Sequence, residues 1–300
     1  MEWIKKEEGQ YQVSTVAAEV DLWLQYTGWE KVVAISKHDL VATAVFTNIA
    51  AAAKPELERV LQSWERILQH SLNMLAAVGN YKDILKWWAS PKNKAASQRP
   101  FERPEKKSIG WYSQIFARLL CYIIRTTPEY ADEESETSVT FLELQLKWVK
   151  NVWKAAAIAG ADNSNELDTA LIGLIISLLA QDTSQLGLYE SLVMYYLAIC
   201  SINVQTKTFF LSFRYTPILA HMIWIIRLLM LEVAISEQGW PELGLQSRKE
   251  IGAIAGAVRE RVYELRQGHL YEGSFSPASS ILSQLALDLT LRLHILLRLY

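Results

Sequence analysis

Cysteine is nearly absent from this 300-residue chain, which holds only Cys121 and Cys200. Two thiols, each inside an apolar run, cannot build a disulfide framework. They read as small core hydrophobes in a reducing compartment. The five histidines are as widely spaced as the cysteines. No stretch gathers the four close ligands that a structural zinc site uses, so neither a metal nor another cofactor is expected. Glycine (13) and proline (8) are also scarce, while leucine, alanine and isoleucine are plentiful. That balance favours helices throughout. Charge of one sign is missing too. Thirty basic against thirty-two acidic residues leave a net charge of -2, so the chain as a whole exerts no pull on nucleic acid. The opening "MEWIKKEEGQ" lacks the apolar run of a secretory leader and is too acidic for a transit peptide, which implies an intracellular protein. The phosphate-cradling GxxxxGK[ST], the dinucleotide GxGxxG, HExxH and GxSxG do not occur. A non-enzymatic chain is therefore expected.

What the chain does have is apolar bulk. At 51% hydrophobic residues it can fill one large core or two smaller ones. Apolar positions recur at helical spacing almost everywhere, and no run of alternating strands is seen. The spacing predicts helices over 13–28 and 36–46. Another, opened by Pro55 and closed by Gly79, carries its stripe on Leu57, Val60, Leu61, Trp64, Ile67, Leu68, Leu72 and Leu75. A short helix precedes residue 90, and one runs from Ile109 to about Arg125. Further helices end near Gly160, follow Leu167, and follow Tyr189. Residues 247–270 read as a charged, amphipathic surface helix. Ser276-Pro277 reads as the cap and first residue of a leucine-rich helix that runs to the end.

The most apolar stretch is "FRYTPILAHMIWIIRLLMLEVAI", Phe213–Ile235. From Pro217 to Ile235 it nears the length of a membrane span, about 20 residues. Arg227 near its middle would cost about 2.5–3.5 kcal/mol in a bilayer. Apolar residues nearly all round instead describe the central helix of a large core, with Thr216 as cap and Pro217 as first residue. No membrane partner is expected. A buried Arg227 would need an acceptor. The fold class that follows is all-α: a multi-helix globular array with two helical units around this central apolar helix. Residues 1–90 form the first unit and 109–300 the second.

Between them lies "SPKNKAASQRPFERPEKKS", with three prolines, six basic residues and two glutamates. It reads as a solvated linker over 91–108. It is also the only strongly basic stretch, and so a candidate phosphate-binding arm. The C-terminal "RLHILLRLY" holds Arg292, His294, Arg298 and Tyr300, the residue types of tyrosine recombinases. The spacing is wrong, and Tyr300 follows too closely to act as the nucleophile. It reads as a leucine-rich helix with a charged stripe.

Eight segments occur in an order that resembles one family. They are "WLQYTGWEKVVA", "SKHDL", "PELERVLQSWERILQHS", "YSQIFARLLCYIIRT", "LDTALIGLIISLL", "YESLVMYYLAICSI", the Phe213–Ile235 stretch and "GSFSPASSILSQLA". Together, over about residues 20 to 290, they resemble the helical region of large fungal proteins related to orsellinic acid cluster protein D. Those proteins often begin with a zinc-finger-like domain, and some continue into a RecQ-type helicase. This chain has neither the finger cysteines and histidines nor a helicase nucleotide motif, so zinc binding and ATP hydrolysis do not carry over. The resemblance implies a nuclear, DNA-associated fungal protein or a piece of one. On that reading Lys92, Lys94, Arg99, Arg103, Lys106 and Lys107 would touch DNA weakly and without regard to sequence. The alternative is a protein-interaction or scaffold domain, its eleven tryptophans supplying an apolar face for a partner protein.

Overall fold

The computed structural model describes residues 54–77, 82–90, 99–127, 141–158, 164–184, 191–203, 208–210, 212–235, 255–270 and 276–282. The helices expected over 13–28 and 36–46 lie outside these residues. So do Lys92, Lys94, and the chain beyond residue 282 with Arg292, His294, Arg298 and Tyr300.

Proline at the first position and Glu56 and Glu58 in the first turn open helix α1, Pro55–Ala77, each suited to a helix N-terminus. Its stripe turns inward as the spacing predicts: Leu57, Val60, Trp64, Ile67, Leu68, Leu72 and Leu75 are buried. The helices that follow are α2 (Lys82–Ala89), α3 (Lys106–Thr126), α4 (Glu143–Ile158), α5 (Ser164–Leu179) and α6 (Leu192–Cys200). Two short strands, β1 (Ile202–Asn203) and β2 (Thr208–Phe209), pair antiparallel with Ile202 opposite Phe209. Then come α7 (Ser212–Ile235) and α8 (Ala255–Leu265), a wider π turn over Arg266–Leu270, and a short α9 at 277–282. The protein is all-α.

Helix α7 is the central helix the sequence predicts. Met222, Ile225, Ile226 and Leu228 are fully buried, and Leu219, Leu229, Leu231 and Val233 nearly so. It packs against α1, α3, α6 and α8. By length and composition Arg214–Ala234 could cross a membrane, and 67% of its apolar window is buried inside the fold. Its start differs from the expected Thr216 cap. The helix begins at Ser212 and carries Pro217 inside it. Tyr215 explains the extra turn: its ring is buried, and its hydroxyl donates to Leu197 O at 2.8 Å. That tie holds the first turn onto α6. Pro217 sits on the exposed side and removes one backbone hydrogen bond near the helix end.

Among the described helices, α4 and α5 share the most extensive contact. Val149, Val152, Ala155 and Ala156 face Leu167, Ala170, Leu171 and Leu174, all buried. The approach is tightest where the Trp148 ring lies on Gly173; a Cβ there would come within 2.6 Å of it. Polar ties join α1 to this pair. Arg59 donates to Ala156 O at 2.7 Å, and Arg66 grips the Asp168 carboxylate through Nε and Nη2 at 3.1 and 2.6 Å.

Helix α8 is not the surface helix its charges suggest. Tyr263 and Glu264 are exposed, yet Arg261, Val262, Leu265 and Arg266 are buried. The Arg266 guanidinium lies 4.1 Å over the Trp87 ring and donates to Ser90 O at 2.9 Å. A flat, weakly hydrated guanidinium can lie parallel to an aromatic face and stack on it. Ser276 acts as the expected cap of α9, its Oγ accepting the Ser279 N–H at 3.1 Å. A single hydrophobic cluster runs from Leu57 to Leu282 and includes residues on both sides of the basic stretch.

Candidate nucleic-acid interface

Four of the six predicted basic contacts fall on described residues. Arg99, Arg103, Lys106 and Lys107 are all exposed. Glu102 and Glu105 are exposed among them, so this part carries four cations against two carboxylates. The stretch is not simply a solvated linker. Phe101 is buried, its N–H donates to Leu85 O at 2.9 Å, and its ring stacks on Trp224 with centroids 5.3 Å apart. Arg99 and Arg103 flank that anchor, each immediately before a proline, Pro100 and Pro104.

Helix α3 begins three residues before the expected Ile109, so Lys106 and Lys107 occupy its first turn. Glu105 precedes them in extended conformation and makes no side-chain cap. Two lysines at a helix N-terminus oppose the helix dipole, at about 0.3–1 kcal/mol each. Local helix stability therefore gives no reason to place them there.

One turn on, Trp111 stands 58% exposed. The sequence reading did not single it out, because its exposure follows only once the buried face of the helix is known. At 3.6 residues per turn Trp111 projects nearly opposite Leu120, and Phe116, Leu119, Leu120 and Ile123 define the buried face. Lys107 and Trp111 are four apart and share a side of the helix. Gly110 and Gln114 beside them are exposed as well. The inner side of the same turns is anchored by rings. Tyr112 meets His221 at 4.4 Å and Trp224 at 5.2 Å between centroids. Burial holds the His221 imidazole below its ordinary pKa.

Behind this anchor, Trp88 Nε1–H donates to the backbone carbonyl of Arg227 at 3.1 Å. Arg227 itself is only partly buried, so its demand for an internal acceptor is weaker than the sequence suggests. Its Nε is buried without a hydrogen-bond partner. Burial first, and the nearby Arg266 second, lower its pKa to about 10. It remains a cation at neutral pH.

Elsewhere, His70 Nδ1 lies 3.0 Å from Glu232 Oε1 on the α1–α7 seam. Burial pushes this carboxyl up, and the imidazole opposes that. The Ser71 hydroxyl, buried beside the pair, opposes it as well. Burial raises the Cys121 thiol to about 11 and the Cys200 thiol to about 12. Both are free and stay protonated at neutral pH. An open groove of about 510 Å³ runs between α4 and α5, lined by Trp148, Asn151, Lys154, Ala155, Asn165, Glu166, Thr169 and Ala170. Among the described residues no group of three or more His, Cys, Asp or Glu could hold a metal ion. Comparison with protein-family models, with curated proteins and with solved structures found no match to this chain.

Proposed function

We propose that this chain is a non-enzymatic helical module of a fungal, nuclear, DNA-associated protein of the helicase- or mobile-element-related kind. The ordered segments that resemble such proteins supply the prior. One observation on the molecule carries the reading. The only strongly basic stretch presents Arg99, Arg103, Lys106 and Lys107 to solvent, held against the core by buried Phe101. Contacts of this kind neutralise phosphates and carry no base information.

Titration of labelled duplex and single-stranded DNA at low and moderate salt tests the reading. Binding should weaken steeply with salt, log K falling by about 0.9 per tenfold salt for each duplex phosphate neutralised. Reversing the charge at Lys92, Lys94, Arg99, Arg103, Lys106 and Lys107 should abolish it. Absence of binding at low salt refutes the reading.

A scaffold function without nucleic acid has its own support. Ile158 is 60% exposed, and Leu142 and Leu144 also reach solvent from around α4. Light scattering that shows a stable assembly, together with no DNA binding, would favour it.

A further inference from the structure

We propose that Trp111 is a stacking platform for an unpaired nucleobase, which gives the basic face of α3 a preference for single-stranded over duplex nucleic acid. The inference rests on the DNA-associated reading and adds a ligand class and a specificity-determining residue to it.

Trp111 has no packing reason to be where it is. The helix buries its opposite side, and Trp111 is among the most exposed large apolar residues described. The space beside it is open: a Cβ added at Gly110 would meet nothing within 4 Å. A flat ligand can therefore approach the indole without displacing a side chain of residue 110. Lys107 lies one turn toward the N-terminus on the same side, with Lys106 and Arg103 exposed next to it. An anionic backbone can follow those cations while one of its bases lies on the indole.

The combination selects among anionic partners. A duplex presents phosphates to lysines and arginines, but its base faces are stacked on one another and closed to an indole. An acidic peptide satisfies the cations and leaves the ring unused. A single strand offers both groups, phosphate and open π-face, in alternation. Aromatic stacking of this kind is indifferent to sequence because every base has a π-face.

The test uses the full chain and two fluorescent probes, an oligothymidylate and a duplex hairpin, followed by anisotropy at low salt. The wild type should bind the oligothymidylate more tightly than the hairpin. Trp111→Ala should weaken oligothymidylate binding about tenfold or more and leave hairpin binding nearly unchanged. Trp111→Phe should recover most of the loss. Lys106→Glu with Lys107→Glu should weaken both probes. Trp111 is solvent-facing, so these variants should keep the wild-type melting temperature. If Trp111→Ala changes oligothymidylate binding by less than about twofold while the wild type binds both probes, the platform is wrong and the DNA reading survives. If the wild type binds neither probe, both fall. A dimer that forms only with Trp111 present, with no oligonucleotide binding, would reassign the ring to contact between copies and overturn the proposal.

Discussion

Helix α3 carries two opposite environments along one rod. From Phe116 to Thr126 nearly every side chain is buried, down to Thr126 and Thr127, whose hydroxyls donate to the carbonyls of Tyr122 and Ile123. From Lys106 to Gln114 the helix presents lysines, a glycine, a tryptophan and a glutamine to solvent. Tryptophan falls on both sides of this divide. Trp64 of α1 is almost fully buried. It stacks on Phe116 with centroids 4.7 Å apart and donates to Ser113 Oγ at 3.0 Å. Trp111 has none of that enclosure. The same side chain thus fills the core at one end of the helix and is available to a ligand at the other.

The sharpest way to break the contrast is at its buried end. Trp64→Ala empties a large volume between α1 and α3 and should cost about 3–5 kcal/mol, read by urea denaturation. Trp111→Ala in the same assay should change stability by less than about 0.5 kcal/mol. Equal costs would show that the two rings are not in opposite environments.

The next test compares two helical glycines. At Gly173 an added side chain meets the Trp148 ring at once. Gly173→Val should therefore destabilise by about 2–3 kcal/mol through overpacking. At Gly110 there is only open space. Gly110→Ala should stabilise by about 0.5–1 kcal/mol, because alanine loses less backbone freedom in a helix. Calorimetry should resolve it as a rise in Tm.

Between these lies Arg227. The residue is partly buried beside another cation, and among the described residues its buried Nε makes no bond. An uncompensated buried charge weakens a fold. Arg227→Met keeps much of the volume and leaves the backbone carbonyl that Trp88 uses. It should raise stability by on the order of 1 kcal/mol. A fall in Tm would show that the charge is balanced in solution.

Much of the fold was legible in the sequence because its signals are local. Helix α1 follows from Pro55, its acidic first turn and a stripe with 3–4 spacing. Ser276 caps α9 as its position before a proline suggests. Less was legible where two segments settle a matter between them. The buried hydroxyl of Tyr215, bonded to Leu197 on α6, moved the start of α7 back to Ser212. Trp87 and Ser90 on the α2 side drew Arg266 inward from a helix that looks solvated by composition. The candidate interface divides in the same way. Its charges are plain in the sequence, whereas Phe101 as anchor and Trp111 as exposed ring depend on which faces of α3 and α7 meet.

By itself the sequence determined the all-helical class and the central place of Phe213–Ile235. Helical periodicity is a short-range property, and a helix apolar on every side is stable only when surrounded. Tertiary structure alone decided which tryptophans are enclosed, which arginines are buried, and where the basic stretch is pinned. Those outcomes depend on the shape of a surface that another part of the chain provides. Sequence spacing within one helix holds no record of that surface.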